Sequence, residues 1–182
     1  MKKVLIPIAP GFEEVEAITV VDILRRAGAE VVTAGVVTGP IEGRNGVKVL
    51  ADTTVDTVLD AAFDMVVLPG GAKGTENLKK DSRVKGIVEA HFKKGKFIAA
   101  ICAAPTILST IGITRGKTVT CHPSVTAELK GEKVTDDRVR VDGNIITSRS
   151  PGTAMEFAFT LAELLFGKEK AVEVNKGVIA KL

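Results

Sequence analysis

The sequence predicts an α/β fold: a mostly parallel β-sheet with helices on both faces and a β-hairpin late in the chain. Two observations carry this prediction. Apolar runs of strand length alternate along the chain with longer stretches of helical spacing, which is the pattern of β-α-β units and a parallel sheet. Near the end, the turn pair Asp142-Gly143 separates two alternating strands and predicts an antiparallel hairpin over 138–147.

The first half of the chain supplies the first strands and the first helix. KVLIPI at 3–8 is a continuous apolar run, as expected of a strand that is covered on both faces. A helix is predicted within the following FEEVEAITVVDILRRAGA, because acidic residues crowd its first turn, two arginines its last turn, and Gly28 stands at its end. The further strands predicted in this half are 30–37, 47–52 and 64–71.

The second half continues the alternation. Positions 82–94 are predicted to be helical, since the stretch closes with two lysines and Gly95. FIAAI at 97–101 is the next buried strand. The helices predicted after it are 104–112, a long one from about 152 to 166, and a shorter one after Gly167. No linker, repeat or change of composition divides the chain, so we predict one domain over 1–182.

Composition excludes several classes of protein. The 182 residues carry a net charge of +3 from 25 basic and 22 acidic side chains spread along the chain, which is too weak and dispersed for a nucleic-acid-binding surface. Two cysteines do not make a disulfide scaffold and favour a reducing, cytoplasmic location. Pro7 and Pro10 interrupt the N-terminal apolar run, so it does not read as a signal peptide. No stretch reads as a membrane span.

Three loops are candidates for a functional site. In an open parallel sheet, ligands bind beyond the carboxyl ends of the strands, at the point where the strand order reverses. This rule selects the loops 9–13, 69–75 and 102–105. The nucleotide-binding motifs GxGxxG and GxxxxGK[ST] are absent from the sequence.

Cys102 is the strongest candidate for a nucleophile. It ends a buried strand, alanines stand on both sides of the pair Ile101-Cys102, at 99–100 and 103–104, and a helix is predicted to open just after it. Small neighbours permit a sharp strand-to-helix turn, and a helix N-terminus lowers the pKa of a thiol by stabilising the thiolate. The alternative is a structural cysteine that packs as a small apolar residue.

The other two candidate loops supply carboxylates and glycines. Glu13, Glu14 and Glu16 occupy the first turn of the first helix, where acids are favourable in any case, although three exceed what capping requires. Glu13 and Glu16 share a helix face. A carboxyl group beside a thiolate is pushed toward its protonated form and then donates a hydrogen bond to sulfur. Gly70-Gly71 predicts a tight turn and a backbone N–H aimed at a developing oxyanion.

The remaining cysteine and the two histidines leave little room for a metal site. Cys121 and His122 are adjacent, so on an extended segment their side chains point in opposite directions and chelate poorly. We therefore expect no metal. His122 is either a partner of Cys102 or a loop histidine fixed by the turn at Pro123. His91 suits the C-terminus of its helix and needs no function.

These motifs resemble the ThiJ/PfpI superfamily, in the branch of the human parkinsonism-associated protein deglycase and its bacterial relatives. The resemblance spans nearly the whole chain, and the motifs fall in the order and spacing of that family. They are APGFEEVEA (9–17), RRAGAEV (25–31), VVLPGGAKG (66–74), AAICAAPT (99–106), HP (122–123), DGNIITSRSPGT (142–153) and FGKEKA (166–171).

The resemblance implies a flavodoxin-like three-layer sandwich, related to the class I glutamine amidotransferase domain, and a role for each matching residue. Cys102 would be the nucleophile and Glu16 the carboxyl group that hydrogen-bonds its sulfur. The other implied positions are Glu13 as a second pocket acid, His122 as a nearby histidine, Gly71 and Ala103 as oxyanion donors, and Pro151 as a residue that reaches the pocket of the partner in a homodimer. Ser150 departs from the glycine usual in the family.

The resemblance implies an enzyme without a cofactor that acts on reactive dicarbonyls. Members of the branch convert methylglyoxal to lactate or reverse early glycation adducts. A second hypothesis is an oxidative-stress sensor or chaperone that works through sulfinate formation at Cys102. A third is a cysteine peptidase, which Ala103 disfavours because protease-like members carry histidine at that position and so have an adjacent general base.

Overall fold

Apolar runs of the sequence form the middle of a seven-stranded sheet. The computed structural model describes residues 1–182. Its strands are β1 (Lys3–Ile8), β2 (Glu30–Gly35), β3 (Pro40–Glu42), β4 (Lys48–Leu50), β5 (Thr53–Thr54), β6 (Met65–Leu68), β7 (Phe97–Ile101), β8 (Thr118–Val119), β9 (Lys133–Val134), β10 (Val139–Asp142) and β11 (Ile145–Ser148).

Helices follow most of the central strands. The α-helices are α1 (Glu14–Arg26), α2 (Ala72–Lys80), α3 (Ser82–Lys93), α4 (Pro105–Thr110), α5 (Ala154–Phe166) and α6 (Lys168–Val178). Short 3₁₀ turns cover Val55–Val58, Pro123–Glu128 and Pro151–Thr153. None of the helices is long and apolar enough to cross a bilayer.

The strand order is β10-β11-β7-β6-β1-β2-β5. All neighbours are parallel except the β10–β11 hairpin. The chain moves outward from β1 to β2 and later returns to β6 on its other side, so the strand order reverses between β1 and β6. This is the position at which such sheets bind ligands. It brings together the ends of β1, β6 and β7.

Alternate side chains of the central strands enter two different cores. Val4, Ile6 and Ile8 of β1 pack in one core with residues of α1 and α5. Leu5 belongs to the other core, which includes residues of α3 and α4. Helices therefore cover both faces of the sheet, because each strand alternates its side chains between the faces. The predicted mostly parallel, three-layer α/β fold with a late hairpin is confirmed.

Some predicted elements differ from the structure. Segment 47–52 shortens to β4, which pairs with β3 in a separate two-stranded ribbon. The hairpin turn lies one residue later than predicted, at Gly143-Asn144, because Asp142 still pairs with Ile145. Helix α2 was not predicted from the sequence, and Gly74 near its start weakens the helical pattern.

His91 is a buried structural histidine in α3. Its Nδ1 lies 2.8 Å from the carbonyl oxygen of Ile87, and its Nε2 accepts a hydrogen bond of 3.2 Å from the backbone N–H of Phe63. The ring therefore links α3 to the segment that leads into β6. Burial and these two contacts, and not only the dipole of the helix, account for a histidine at this position.

Candidate active site

Cys102 lies at the point where β7 turns into α4. Its backbone N–H donates to the carbonyl oxygen of Ser148 at 2.9 Å, which ties it to the end of β11. Its φ is +65°, a left-handed conformation that costs a residue with a Cβ roughly 1–2 kcal/mol. Ala103 and Ala104 beside it are buried, which confirms the sharp turn expected from small neighbours.

This backbone strain predicts an inverted order of stability for two variants. We expect Cys102→Gly to be more stable than Cys102→Ala by about 1 kcal/mol, because glycine adopts positive φ without penalty. In most buried positions the alanine variant would be the more stable of the two. Urea unfolding of both variants measures the difference, and a more stable alanine variant would show that the turn is not strained.

Glu16 meets the sulfur from the first helix. The side chain is fully buried, and its carboxyl group lies close enough to the Cys102 thiol for each group to shift the pKa of the other. Its Oε2 accepts a hydrogen bond of 2.8 Å from the backbone N–H of Gly70, while Oε1 has no hydrogen-bond partner. Burial raises the pKa of Glu16 to about 7, since a charged carboxylate loses its hydration there.

The thiol itself is not acidified as the sequence suggested. Burial, followed by the charge of Glu16, raises the pKa of Cys102 to about 12, although the nearby backbone N–H groups of Gly71 and Ala103 oppose this rise. The expectation of a pKa lowered by the helix N-terminus was therefore wrong. Helix α4 has only six residues and begins at Pro105, so its dipole is small next to burial and the carboxylate.

The protons of Cys102 and Glu16 are linked. An ionised Glu16 disfavours a thiolate beside it, whereas a protonated Glu16 can donate a hydrogen bond to the sulfur and so stabilise the thiolate. A nucleophilic thiolate therefore forms when the proton of the pair resides on Glu16. The ionisation of either group therefore depends on that of the other.

Gly70 and Gly71 are required where they stand. A Cβ on Gly70 would lie 2.4 Å from Glu16 Oε2 and 2.7 Å from the Cβ of Cys102. Gly71 has a φ of +87°, and a Cβ there would lie 2.4 Å from the carbonyl oxygen of Gly11. Only glycine lets this loop approach the pair so closely. The loops predicted to meet, 9–13, 69–75 and 102–105, do meet here.

Glu13 lies behind the pocket wall rather than at the sulfur. Its Oε1 accepts a hydrogen bond of 3.1 Å from Asn45 Nδ2, and its Oε2 lies 3.7 Å from Arg44 Nη1. Its backbone N–H donates to the carbonyl oxygen of Gly70 at 3.0 Å. Its charge still raises the pKa of Glu16, after the larger effects of burial and hydrogen bonding.

His122 is held next to Cys102 through the backbone. Its N–H donates to the carbonyl oxygen of Cys102 at 2.8 Å. The ring Nδ1 accepts a hydrogen bond of 3.2 Å from the backbone N–H of Ser124. The ring is therefore fixed by the turn at Pro123, as the second of the two interpretations of His122 predicts. No hydrogen bond joins its ring to Sγ, whereas the charge of Glu16 acts on the thiol directly.

Cys121 and Pro151 lie outside this arrangement. The sulfur of Cys121 is buried with Val119 and Leu129 and lies 3.7 Å from Thr126 Oγ1; burial raises the pKa of its thiol. Pro151 begins a half-buried 3₁₀ turn and does not line the pocket of its own chain.

No group of three or more His, Cys, Asp or Glu side chains is arranged to hold a metal ion.

A pocket of about 510 Å³ opens above the sulfur. We call it the Cys102 pocket. It is lined by Arg44, Ala72, Thr75, Glu76, Lys79, Cys102, Ala103, Thr106, His122, Ser124, Val125 and Glu128. Sequence reasoning missed Arg44 and the α2 face that forms one wall. The segment around Arg44, GRNG, offered only a turn signal.

Known proteins share this fold and sequence. The model of the DJ-1/PfpI family matches residues 2–164. Protein dj-1beta of Drosophila melanogaster is 45% identical over 98% of this chain and 97% of its own length. Glutathione-independent glyoxalase DJR-1.2 of Caenorhabditis elegans is 37% identical over 96% and 95%. Protein DJ-1 homolog B of Arabidopsis thaliana is 43% identical over 99% of this chain, which spans only 42% of that longer protein.

Solved structures agree. The crystal structure of Drosophila melanogaster DJ-1beta superposes with a TM-score of 0.97 at 43% identity, covering 100% of this chain and 99% of that one. Toxoplasma gondii DJ-1 in an oxidized form gives a TM-score of 0.97 at 36% identity, with 100% of both chains covered. The resemblance inferred from the motifs is thereby confirmed, and the chain belongs to the DJ-1/PfpI family.

Proposed function

We propose that the protein is a cysteine-dependent glyoxalase and deglycase that needs no cofactor and acts on methylglyoxal, glyoxal or early glycation adducts. One observation carries the proposal: the Cys102 sulfur faces a buried carboxyl group and two backbone N–H donors at once. Catalysis of covalent addition to a carbonyl group uses a nucleophile, a group that transfers protons and donors that stabilise the oxyanion. A relative named as a glutathione-independent glyoxalase supports it.

The first step is addition of the thiolate to the aldehyde carbon of methylglyoxal. A bond forms between Sγ and that carbon, and the carbonyl electron pair moves to oxygen. The resulting oxyanion would accept hydrogen bonds from the backbone N–H groups of Gly71 and Ala103, which lie near the sulfur. Protonation of this oxygen gives a hemithioacetal.

Glu16 then moves a proton between two carbon atoms. It takes the proton from the former aldehyde carbon, which leaves an enediol, and returns a proton to the neighbouring carbon, which gives a lactate thioester. A carboxyl group whose pKa is raised to about 7 by burial is suited to both steps at neutral pH. His122 lines the same pocket and can assist transfer to and from the oxygen atoms.

Water completes the cycle. It adds to the thioester carbon, the bond to Sγ breaks, and lactate leaves while the thiol regains its proton. The net reaction consumes one methylglyoxal and one water and requires no oxidant or reductant. For an early glycation adduct, the thiolate displaces the amine or thiol of the glycated molecule at the aldehyde-derived carbon. A bond to Sγ forms, the bond from that carbon to the amine nitrogen or thiol sulfur breaks, the departing group takes up a proton, and the same hemithioacetal results.

The test is formation of lactate from methylglyoxal with glutathione absent and a chelator present. Proton NMR of the mixture identifies lactate directly, and a chiral assay gives its configuration. Wild-type protein should produce lactate in proportion to enzyme concentration. Consumption of methylglyoxal without lactate, by modification of surface arginine and lysine, would contradict the proposal.

A second function is supported by the same thiol: an oxidative-stress sensor or chaperone that works through sulfinate at Cys102. Peroxide oxidises the thiolate to sulfenate and then to sulfinate, with one water released at each step. The Glu16 carboxyl group lies beside the sulfur and, when protonated, can donate a hydrogen bond to a sulfinate oxygen. A related structure was obtained in an oxidized form.

Mild peroxide should add two oxygen atoms at Cys102 alone. Both cysteines are buried, but only Cys102 opens onto a pocket, so Cys121 should stay reduced. Peptide mass spectrometry after stepwise peroxide addition measures both sites. Oxidation that appears first at Cys121, or that runs directly to sulfonate, would contradict the sensor.

We also propose a homodimer in which Pro151 approaches the Cys102 pocket of the partner. Helix α1 leaves Val15 and Ile18 about half exposed on one face, at 51% and 44%, and an exposed apolar pair beside the site suits a protein interface. Light scattering should give twice the mass of the chain. A monomer at micromolar concentration would refute this assembly.

A further inference from the structure

The β3–β4 turn is fastened to the start of α1 by Glu14. Oε1 of Glu14 accepts hydrogen bonds from the backbone N–H groups of Asn45 at 2.7 Å and Val47 at 3.3 Å. Oε2 accepts from Asn45 Nδ2 at 3.0 Å. Burial alone would raise the pKa of Glu14, but these N–H donors and that of its own backbone keep it below the usual value, so the carboxylate remains charged.

The β3–β4 turn packs closely against the Glu14 carboxylate. A Cβ on Gly43 would lie 2.4 Å from Glu14 Oε1, so glycine is needed for the carboxylate to reach under the turn. The backbone N–H of Arg44 donates to the carbonyl oxygen of Phe12 at 2.8 Å. Glu14 and this bond together fix the backbone of Arg44 against the first helix.

The fixed turn places the Arg44 side chain in the wall of the Cys102 pocket. Arg44 and Lys79 are the arginine and lysine side chains of that wall. Lys79 already donates to Glu128 at 3.0 Å. The Arg44 side chain has only the 3.7 Å contact with Glu13, donates no hydrogen bond to another group of the protein, and is 61% exposed. It therefore presents a guanidinium group with free donors to anything that enters the pocket.

The remaining charges of the wall do not neutralise this group. Glu76 is ion-paired with Lys80 on its own helix, and Glu128 is engaged by Lys79. Guanidinium groups bind carboxylates through two parallel hydrogen bonds. The pocket, at about 510 Å³, is also far larger than methylglyoxal requires.

We propose that Arg44 is a specificity-determining residue that binds a carboxylate carried by the substrate, and that Glu14 positions it by holding the β3–β4 turn. The preferred substrates are then 2-oxoaldehydes with an anionic group a few bonds from the reacting carbonyl. The substrate class rests on the proposed glyoxalase function, whereas the preference of the pocket for anions can be measured without turnover.

The first experiment uses alkylation of Cys102 by iodoacetate and iodoacetamide, which have nearly the same shape and differ in charge. In both reactions a bond forms between Sγ and carbon, and iodide leaves. The rate ratio of the anionic to the neutral reagent should fall by about tenfold in Arg44→Met, because a charged hydrogen bond of ordinary strength is lost. Lys48→Met, on the same ribbon outside the pocket, should leave the ratio unchanged.

Glu14 variants separate positioning from folding. Glu14→Ala removes all three hydrogen bonds to the turn and should lower the same ratio several-fold, while Glu14→Gln, which keeps an acceptor oxygen for the backbone N–H groups, should restore most of it. A purely structural role would slow both reagents equally. Circular dichroism and thermal unfolding confirm that each variant is folded.

The second experiment compares 4,5-dioxopentanoate with its neutral methyl ester. Arg44→Met should reduce kcat/KM for the anion by about tenfold or more through KM, and change the value for the ester less than about twofold. Equal losses with both substrates, or an unchanged alkylation ratio, would overturn the inference. Absence of turnover with every dicarbonyl would refute the glyoxalase proposal, and the alkylation ratio would still decide the role of Arg44.

Discussion

Cys102→Ser is expected to reduce kcat/KM for methylglyoxal by at least about a thousandfold, since removal of a covalent nucleophile is among the largest single effects known in enzymes. Serine fits the site, because its side chain has the same shape as that of cysteine, with a smaller oxygen atom in place of sulfur. Its hydroxyl, however, has a pKa far above that of a thiol, and Glu16 with a pKa of about 7 is too weak a base to ionise it. Lactate measured by NMR gives the rate.

Cys121→Ala is the matched control for this loss. Its sulfur is buried in a separate small cluster away from the Cys102 pocket, so the variant should retain activity within about twofold of wild type if it folds. Thermal unfolding of both variants shows whether folding is preserved. Lactate formation by Cys102→Ser at the wild-type rate would remove the thiolate from the mechanism.

Local sequence was sufficient to place Cys102 and the sheet that carries it. A run such as FIAAI predicts a strand that is buried on both faces, and in the structure Ile98 and Ala99 enter opposite cores. Alanines after Cys102 predicted a turn too tight for larger side chains, and the φ of +65° confirms it. These features depend on neighbouring residues, which a sequence displays directly.

Contacts between distant segments could not be read in this way. Glu14 and Asn45 are 31 positions apart, and nothing in either local pattern says that one binds the other. Helix α2 was missed because Gly74 is a poor helix residue, yet a Cβ there would lie 2.6 Å from the Cα of Phe12. Its glycine serves close packing rather than a turn, and only the folded chain shows the difference.

The prediction of a lowered thiol pKa was wrong for a related reason. The sequence suggests a helix N-terminus after Cys102, and this feature lowers the pKa of a thiol. It does not show that Cys102 is only 7% exposed or that Glu16 is fully buried beside it. Desolvation and a nearby carboxylate then outweigh the dipole of a six-residue helix. Burial is a property of the whole fold, so the sign of the shift could not be obtained locally.

Glu16→Gln should cost activity and add stability. Glutamine preserves the shape of the side chain and can donate an N–H to the sulfur, but it cannot carry a proton from one carbon to another. We expect kcat/KM for methylglyoxal to fall by at least about a hundredfold, the usual contribution of a general acid–base group. Alkylation of Cys102 by iodoacetamide should persist, which separates proton transfer from thiolate stabilisation.

The stability effect depends on pH, with a sign fixed by the raised pKa of Glu16. Burial raises the pKa of the carboxyl from an ordinary 4.5 to about 7 in the folded protein, so the folded state holds a proton that the unfolded chain has released. The contribution of Glu16 to stability is therefore complete below pH 4.5 and is lost as the pH rises through about 7. Wild type should lose about 2–3 kcal/mol from this group between pH 5 and pH 8.

The neutral amide of Glu16→Gln has no such loss. Its advantage over wild type should grow between pH 5 and pH 8 by roughly 5–10 °C in Tm, given the usual slope for a chain of this size. Glu169→Gln, an exposed carboxylate on α6, is the control and should leave the difference between the two pH values unchanged. A Tm advantage that does not grow with pH would show that Glu16 is already ionised in the folded protein, and the proton carrier of the proposed mechanism would have to be another group.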